Sequence, residues 1–267
     1  MSVSREPART SEPVLTRERV RVGREFALSH PLVQPPSGLR VRLLEGFELT
    51  IDGEPCEMPL SAARLVAFLA LRPRPVERSH VAGVLWGDRP EDRAAACLRS
   101  AIWRANAGRT PRVIDAGRSR IALRVNASVD ARDAASAAHA QLTRGAPVAP
   151  EVLSGELLPG WYDDWVIVER ERLRQLCLEA LEQMAQSLLD SGKAPLAIEA
   201  ALAVVAAEPL RESAHRVLVD AHVSIGNRGE ALRQFERCRV LLDGELGLRP
   251  SDALVAAAAR ADRPQRR

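Results

Sequence analysis

Residues 88–108 read DRPEDRAAACLRSAIWRANAG, and the spacing of the few bulky apolar side chains among them decides the fold. Within it, Pro90 near the beginning and Gly108 at the end are the start and stop residues of a helix running to about Ala107. At 100° per residue, with Leu98 facing the core, Ala94, Leu98, Ile102 and Ala105 lie within about 40° of inward. Arg93, Ala96, Ser100 and Arg104 fall near the opposite side, with Arg99 and Trp103 on the flank. The free face therefore alternates long basic side chains with small ones. Small residues let a helix sit deep in a DNA major groove, and arginine there can bond guanine O6 and N7 together.

The flanking segments agree with such a helix. Upstream, Val41–Leu44 and Phe47–Ile51 read as short strands, with a turn at Asp52-Gly53 and a third extended piece after it. Ser61 is expected to cap an apolar helix through Leu65, Phe68, Leu69 and Leu71 that stops at Pro73. A second helix from about Glu77 should bury Val81, Val84, Leu85 and Trp86 and end at Gly87. Downstream, Val113–Asp115 and Ile121–Leu123 form a hairpin around Gly117. Strands, three helices and a hairpin make the order of a winged helix-turn-helix. Between Arg93 and Arg124 lie eight arginines against one acid, Asp115. A solvated basic face is the plain reading of such a run; the alternation along the third helix favours double-stranded DNA. The expected contacts are Arg93, Arg99, Ser100, Trp103 and Arg104 on the helix, with Arg118 and Arg120 at the hairpin tip for phosphate or the minor groove. Trp103 fits the edge of the domain core equally well.

Beyond residue 127 the pattern is helical. An Ala-rich helix near 130–143 and a broken loop precede a long helix from about Trp165 to Leu189, then helices near 195–207, 212–225 and 228–243. Gly192-Lys193 recurs as Gly226-Asn227, and Ala197-Ile198 as Ala231-Leu232, both at a step of 34 residues. That is the tetratricopeptide period, in which stacked helix pairs share a core that none forms alone. The fold class is thus mainly α: a winged helix-turn-helix with short strands and a hairpin wing, followed by a tetratricopeptide-like helical domain. The expected boundaries are 1–38 for a Pro-rich disordered leader, 39–126 and 127–260 for the two domains, and 261–267 for a tail.

The 267 residues carry a net charge of +3 that is unevenly spread: residues 39–126 hold fifteen arginines against ten acids, whereas residues 127–267 are net acidic. A basic front and an acidic back point to a polyanion-binding module joined to one of another kind. No apolar run approaches the roughly 18 residues of a membrane span, and no signal peptide is evident. The four cysteines are 41, 80 and 61 residues apart, which suits neither a disulfide framework nor a zinc site, so a cytoplasmic location is expected. Cys97 is read as an ordinary thiol.

Catalytic constellations are absent from the sequence. The sole lysine lies in Gly192-Lys193-Ala194, so there is no Walker A loop, and neither a Gly-x-Gly-x-x-Gly nor a His-Glu-x-x-His motif occurs. His215 and His222 read as packing or surface residues, and Asp163-Asp164 as the cap of the long helix. A non-enzyme without metal or cofactor is expected. Aromatics are only 3% of the chain, which argues against a single-strand stacking platform.

Six stretches are similar to the Streptomyces antibiotic regulatory protein family, whose members pair an OmpR-type winged helix with a bacterial transcriptional activator domain. They are Leu43–Leu49, Leu85–Asp88, Leu98–Arg104, Leu158–Trp165, Glu208–Glu212 and Glu245–Pro250. The resemblance implies an activator that binds promoter direct repeats as a homodimer on DNA and recruits RNA polymerase holoenzyme, often for secondary-metabolite genes. It matches a basic recognition-helix position to Arg104 and places Asn106 where a second basic residue is usual. Lacking a phosphate loop, the chain resembles the small class of the family. The competing reading is a helical-repeat adaptor that binds protein and not DNA.

Overall fold

The two-residue turn at Asp52-Gly53, with φ of 51° and 87°, has the twist that suits a tight antiparallel hairpin. It joins β2 (Glu48–Ile51) to β3 (Glu54–Pro55), and β1 (Leu39–Arg42) pairs antiparallel with β2, Leu39 opposite Ile51. Three helices follow, α1 (Leu60–Ala70), α2 (Arg78–Leu85) and α3 (Glu91–Asn106), with a two-residue strand β4 (Val76–Glu77) between the first two. The wing is β5 (Ile114–Ala116) and β6 (Arg120–Leu123), and β4 pairs with β6 to complete a three-stranded sheet. β7 (Ser128–Val129) then returns to lie parallel to β1. This is a computed structural model, and it describes residues 38–109 and 112–262. The expected leader falls outside these residues apart from Gly38, and the expected tail apart from Ala261 and Asp262.

The helical half comprises α4 (Asp130–Arg144), a 3₁₀ turn at Pro150–Leu153, α5 (Asp164–Asp190), α6 (Ala194–Ala207), α7 (Glu212–Ser224), α8 (Arg228–Leu246) and α9 (Asp252–Asp262). The 34-residue repeat is real in three dimensions: Gly192 and Gly226 both sit at positive φ, 72° and 80°, and Ala197 and Ala231 are both fully buried. α9 carries no repeat signature. It packs on α7 and α8 through Leu254, Ala257 and Ala261, closing the end of the array as a terminal helix must.

One apolar cluster fills the front half around Phe68, Leu65, Leu98 and Ile114, and it continues past residue 126 to Val129, Leu157, Trp165 and Val166. Each such fully buried Leu or Phe contributes about 1.5–3 kcal/mol. Two further clusters run through α5–α6–α7 and α7–α8–α9.

Several local expectations are corrected. Ser61 lies inside the first turn of α1, not at its cap: Pro59 takes that position and makes no side-chain cap bond. Val84 is exposed, because α2 ends a residue later and turns that side away from the core. Asp163 precedes α5 but does not cap it, since its carboxylate is drawn to Arg64 of α1.

Candidate nucleic-acid interface

α3 is aimed by the turn before it. The Trp86 N–H donates to Ala82 O at 3.0 Å to close α2, and the Arg89 N–H donates to Trp86 O at 3.0 Å to open the turn into Pro90. Gly87 makes this turn possible: a Cβ there would stand 2.5 Å from Gly83 O. Glu91 and Asp92 occupy the first turn of α3, where acids favour the helix dipole.

The helix buries Ala94, Leu98, Ala101, Ile102 and Ala105 against α1, α2 and β5. Arg93, Ala96, Arg99 and Arg104 are exposed, Ser100 is half-buried, and Trp103 is 70% exposed, so its ring is no part of the core edge. The Arg104 guanidinium reaches back only weakly, Nη1 donating to Ser61 Oγ at 3.3 Å.

The eight arginines divide into two groups. Arg109 folds back on the end of α3, Nη1 donating to the carbonyls of Arg104 at 2.8 Å and Ala105 at 3.2 Å while Nη2 donates to Glu57 O at 2.7 Å. It is a C-terminal cap. Arg120 lies opposite Glu77 in the β4–β6 register and pairs with it, Nε to Oε1 2.6 Å. The guanidinium expected at the wing tip therefore already has an acid partner, in a pair that stays largely exposed. Arg118 has no such acid partner among the described residues. It shares a cleft of about 710 Å³ between α2, α3 and the wing with Arg78, Arg89 and Arg99. Arg78 also fixes the wing, its N–H donating to Ser119 O at 2.8 Å and its Nη1 to Gly117 O at 3.2 Å. Arg78 and Arg89 were invisible to helical periodicity. The signal that could have found Arg78 is the pairing of Val76-Glu77 with the wing, which two residues are too short to announce. Cys97 is half-buried, its sulfur accepting from Arg89 Nη1 at 3.3 Å.

Asn106 accepts the N–H groups of Val113 at 3.0 Å and Ile114 at 2.9 Å, and its Nδ2 donates to Ile114 O at 2.9 Å. It clamps α3 to the wing, with its Oδ1 and one of its two Nδ2 hydrogens committed to Val113 and Ile114.

The stretch Leu158–Trp165 seats this domain on the helical half. Trp161 packs on Phe47 at 5.9 Å between ring centroids, and Trp165 meets Phe68 edge-on at 5.4 Å. Arg72 Nη1 donates to Glu169 Oε1 at 2.5 Å, and Arg64 pairs with Asp163. Glu208–Glu212 and Glu245–Pro250 do the same for the repeats: Glu208 accepts from Arg174 at 2.7 Å, Arg211 pairs with Glu182 at 2.6 Å, and Glu212 Oε2 accepts the Ser251 N–H at 2.7 Å. Gly247, at φ 64°, ends α8 in the left-handed conformation that allows the turn into α9.

Residues 121–260 match the bacterial transcriptional activator domain, and the chain belongs to that family. Its relatives place it with regulators of the Streptomyces antibiotic regulatory protein type. It is 30% identical over 240 residues to the regulatory protein AfsR of Streptomyces coelicolor (strain ATCC BAA-471 / A3(2) / M145), covering 84% of this chain and 24% of AfsR. To AfsR of Streptomyces griseus it is 28% identical over 230 residues, 80% of this chain and 23% of that protein. The chain thus spans about a quarter of the length of these relatives. The structure of Mycobacterium tuberculosis EmbR in complex with a low affinity phosphopeptide superposes with a TM-score of 0.65 at 24% identity, over 85% of this chain and 65% of EmbR, which establishes a common fold. No helix among the described residues is long and apolar enough to cross a membrane.

Proposed function

We propose that this chain is a sequence-specific, double-stranded-DNA-binding transcriptional activator acting in the cytoplasm. The observation that carries the reading is the solvent-facing side of α3, where Arg93, Arg99 and Arg104 stand exposed beside Ala96 and Ser100 while the apolar stripe is fully used in packing. α3 enters the major groove; Arg99, Ser100, Trp103 and Arg104 meet base edges or the groove wall, and Arg93 meets phosphate. From the cleft beside α3, Arg118, Arg78 and Arg89 take backbone phosphates; Arg120 yields this role because Glu77 holds it. The net acidic helical half serves self-association on tandem sites and contact with RNA polymerase holoenzyme. A single module neutralises few phosphates, so pairing on direct repeats raises occupancy through effective concentration.

The test is to incubate the full chain with fragmented genomic DNA and sequence what it retains. Enrichment of direct repeats near promoters, with protection over both copies, supports the reading. No enrichment, together with no mobility shift on random duplexes at low salt, would instead leave a protein-binding helical adaptor.

A further inference from the structure

We propose that the cleft between the N-terminal sheet and helices α4–α6 binds a small, largely apolar molecule carrying a hydroxyl or amine donor. This cleft is separate from the basic face of α3. It encloses about 620 Å³ and is lined mainly by apolar atoms. Protein interiors are otherwise close-packed, and a cleft of several hundred Å³ with few polar groups is the usual form of a small-molecule site.

Its floor is Leu153, Leu157, Leu178 and Leu181, all buried. On α6 the cleft is lined by half-buried Ala203 and, at its exposed edge, by Ala206 and Ala207, and on α4 by buried Ala134. The small side chain of half-buried Ala203 leaves room that a leucine there would occupy.

The polar rim selects the chemistry of the occupant. Arg170 is consumed by the protein, Nε donating to Leu157 O at 2.7 Å and Nη2 to Trp161 O at 3.0 Å. Arg174 is held by Glu171 at 2.9 Å and Glu208 at 2.7 Å. Arg170 also pairs with Glu156, Nε to Oε1 3.3 Å, so both cations already have carboxylate partners. Glu45 is an exposed lining residue whose carboxylate accepts the Glu156 N–H on Oε1 at 2.7 Å and has no ion-pair partner among the described residues, which leaves Oε2 to accept from an occupant. A neutral or singly cationic donor satisfies it; a carboxylate or phosphate is repelled. Cys177 also lines the cleft, and burial pushes its thiol up to about 11, so it stays protonated and takes no part as a nucleophile.

The cleft borders the seam that joins the two halves. Leu44 bridges to Leu157, the Glu45 N–H donates to Glu156 O at 2.9 Å, and the Leu158 N–H donates to Leu43 O at 2.8 Å. Glu45 and Leu158 hold φ of 62° and 47°, which non-glycine residues adopt only under constraint. An occupant therefore bears on backbone already held in an uncommon conformation.

The experiment is a fluorescence titration of the full chain with 1-aminoanthracene, an apolar three-ring amine that brightens on leaving water. A saturable one-to-one rise is expected. Ala203→Leu should weaken it by about tenfold or more by filling the space, and Glu45→Gln by several-fold. Leu202→Ala, a change at an exposed position of α6, should leave it unchanged, and circular dichroism confirms that each variant is folded. Should Ala203→Leu fail to fold, Ala206→Leu replaces it. The absence of a saturable rise, or a rise that survives the leucine substitution in folded protein, overturns the site. An unaltered affinity in Glu45→Gln overturns the donor requirement.

Discussion

Asn106 makes three hydrogen bonds that a lysine or arginine at its position would not reproduce, because two of them need an acceptor facing the Val113 and Ile114 N–H groups. Asn106→Ala leaves those partly buried groups unpaired, and the expected loss is about 1–3 kcal/mol of stability, read by urea denaturation. Arg104 has the opposite character, exposed and weakly tethered. Arg104→Ala should leave the melting temperature nearly unchanged while relaxing sequence preference at one base pair. His215 is fully buried, its Nε2 donating to Pro209 O at 2.9 Å and Nδ1 accepting from Gln234 at 2.7 Å. Burial holds its pKa below the ordinary 6.5; the nearby Arg237 adds to this, and Glu212 and the Pro209 carbonyl oppose it. The unfolded chain then takes up a proton that the folded chain refuses, so stability is full above pH 6.5 and falls as pH drops below it. Replacing His215 by Gln should flatten that part of a stability–pH profile, and a profile of unchanged slope would contradict the assignment.

At the scale of elements, the wing and α3 act as one unit built around short contacts. Arg118→Ala should reduce the slope of log affinity against log salt by about one, whereas Arg120→Ala should leave it nearly unchanged, because only a guanidinium free of Glu77 displaces a counterion from DNA. Equal slopes for the two variants in a salt titration would refute this division. Gly87→Ala forces a methyl group to within 2.5 Å of Gly83 O, which the turn can relieve only by moving. Elements with a long apolar rhythm were legible before any coordinates. α3 buries the stripe its spacing marks, and the repeat at 34 residues falls on equivalent glycines and alanines. The elements that carry no local signal lack rhythm or depend on distant partners. β4 and β7 are two residues long, and α9 buries mostly alanine behind Pro250. No local pattern separates Arg109 and Arg120 from Arg118, since Cys56-Glu57 and Glu77, which hold the first two, are about half a domain away in the chain.

For the whole molecule, the winged helix is fastened to the helical half by aromatic packing and by ion pairs that are half shielded from water. The side chains of Arg64 and Asp163 keep only 25% and 23% of their exposure. Removing either partner leaves the other charge poorly solvated, so each single alanine variant should lose about 1–3 kcal/mol. The double variant should lose clearly less than the sum, as a thermodynamic cycle would reveal. The fastening also sets where α3 points relative to α5–α9, and under the proposed pairing on direct repeats that direction fixes how two copies sit on adjacent sites. Sequence-specific DNA binding rests on the α3 face. The direct measurement is fluorescence anisotropy of the full chain and the Arg99→Ala/Arg104→Ala double variant, each titrated with a recovered genomic repeat and with its scrambled duplex. A loss of about 1–3 kcal/mol per arginine is expected on the repeat, with a much smaller loss on the scrambled DNA. Equal losses on both, or none on either, would contradict base reading by α3.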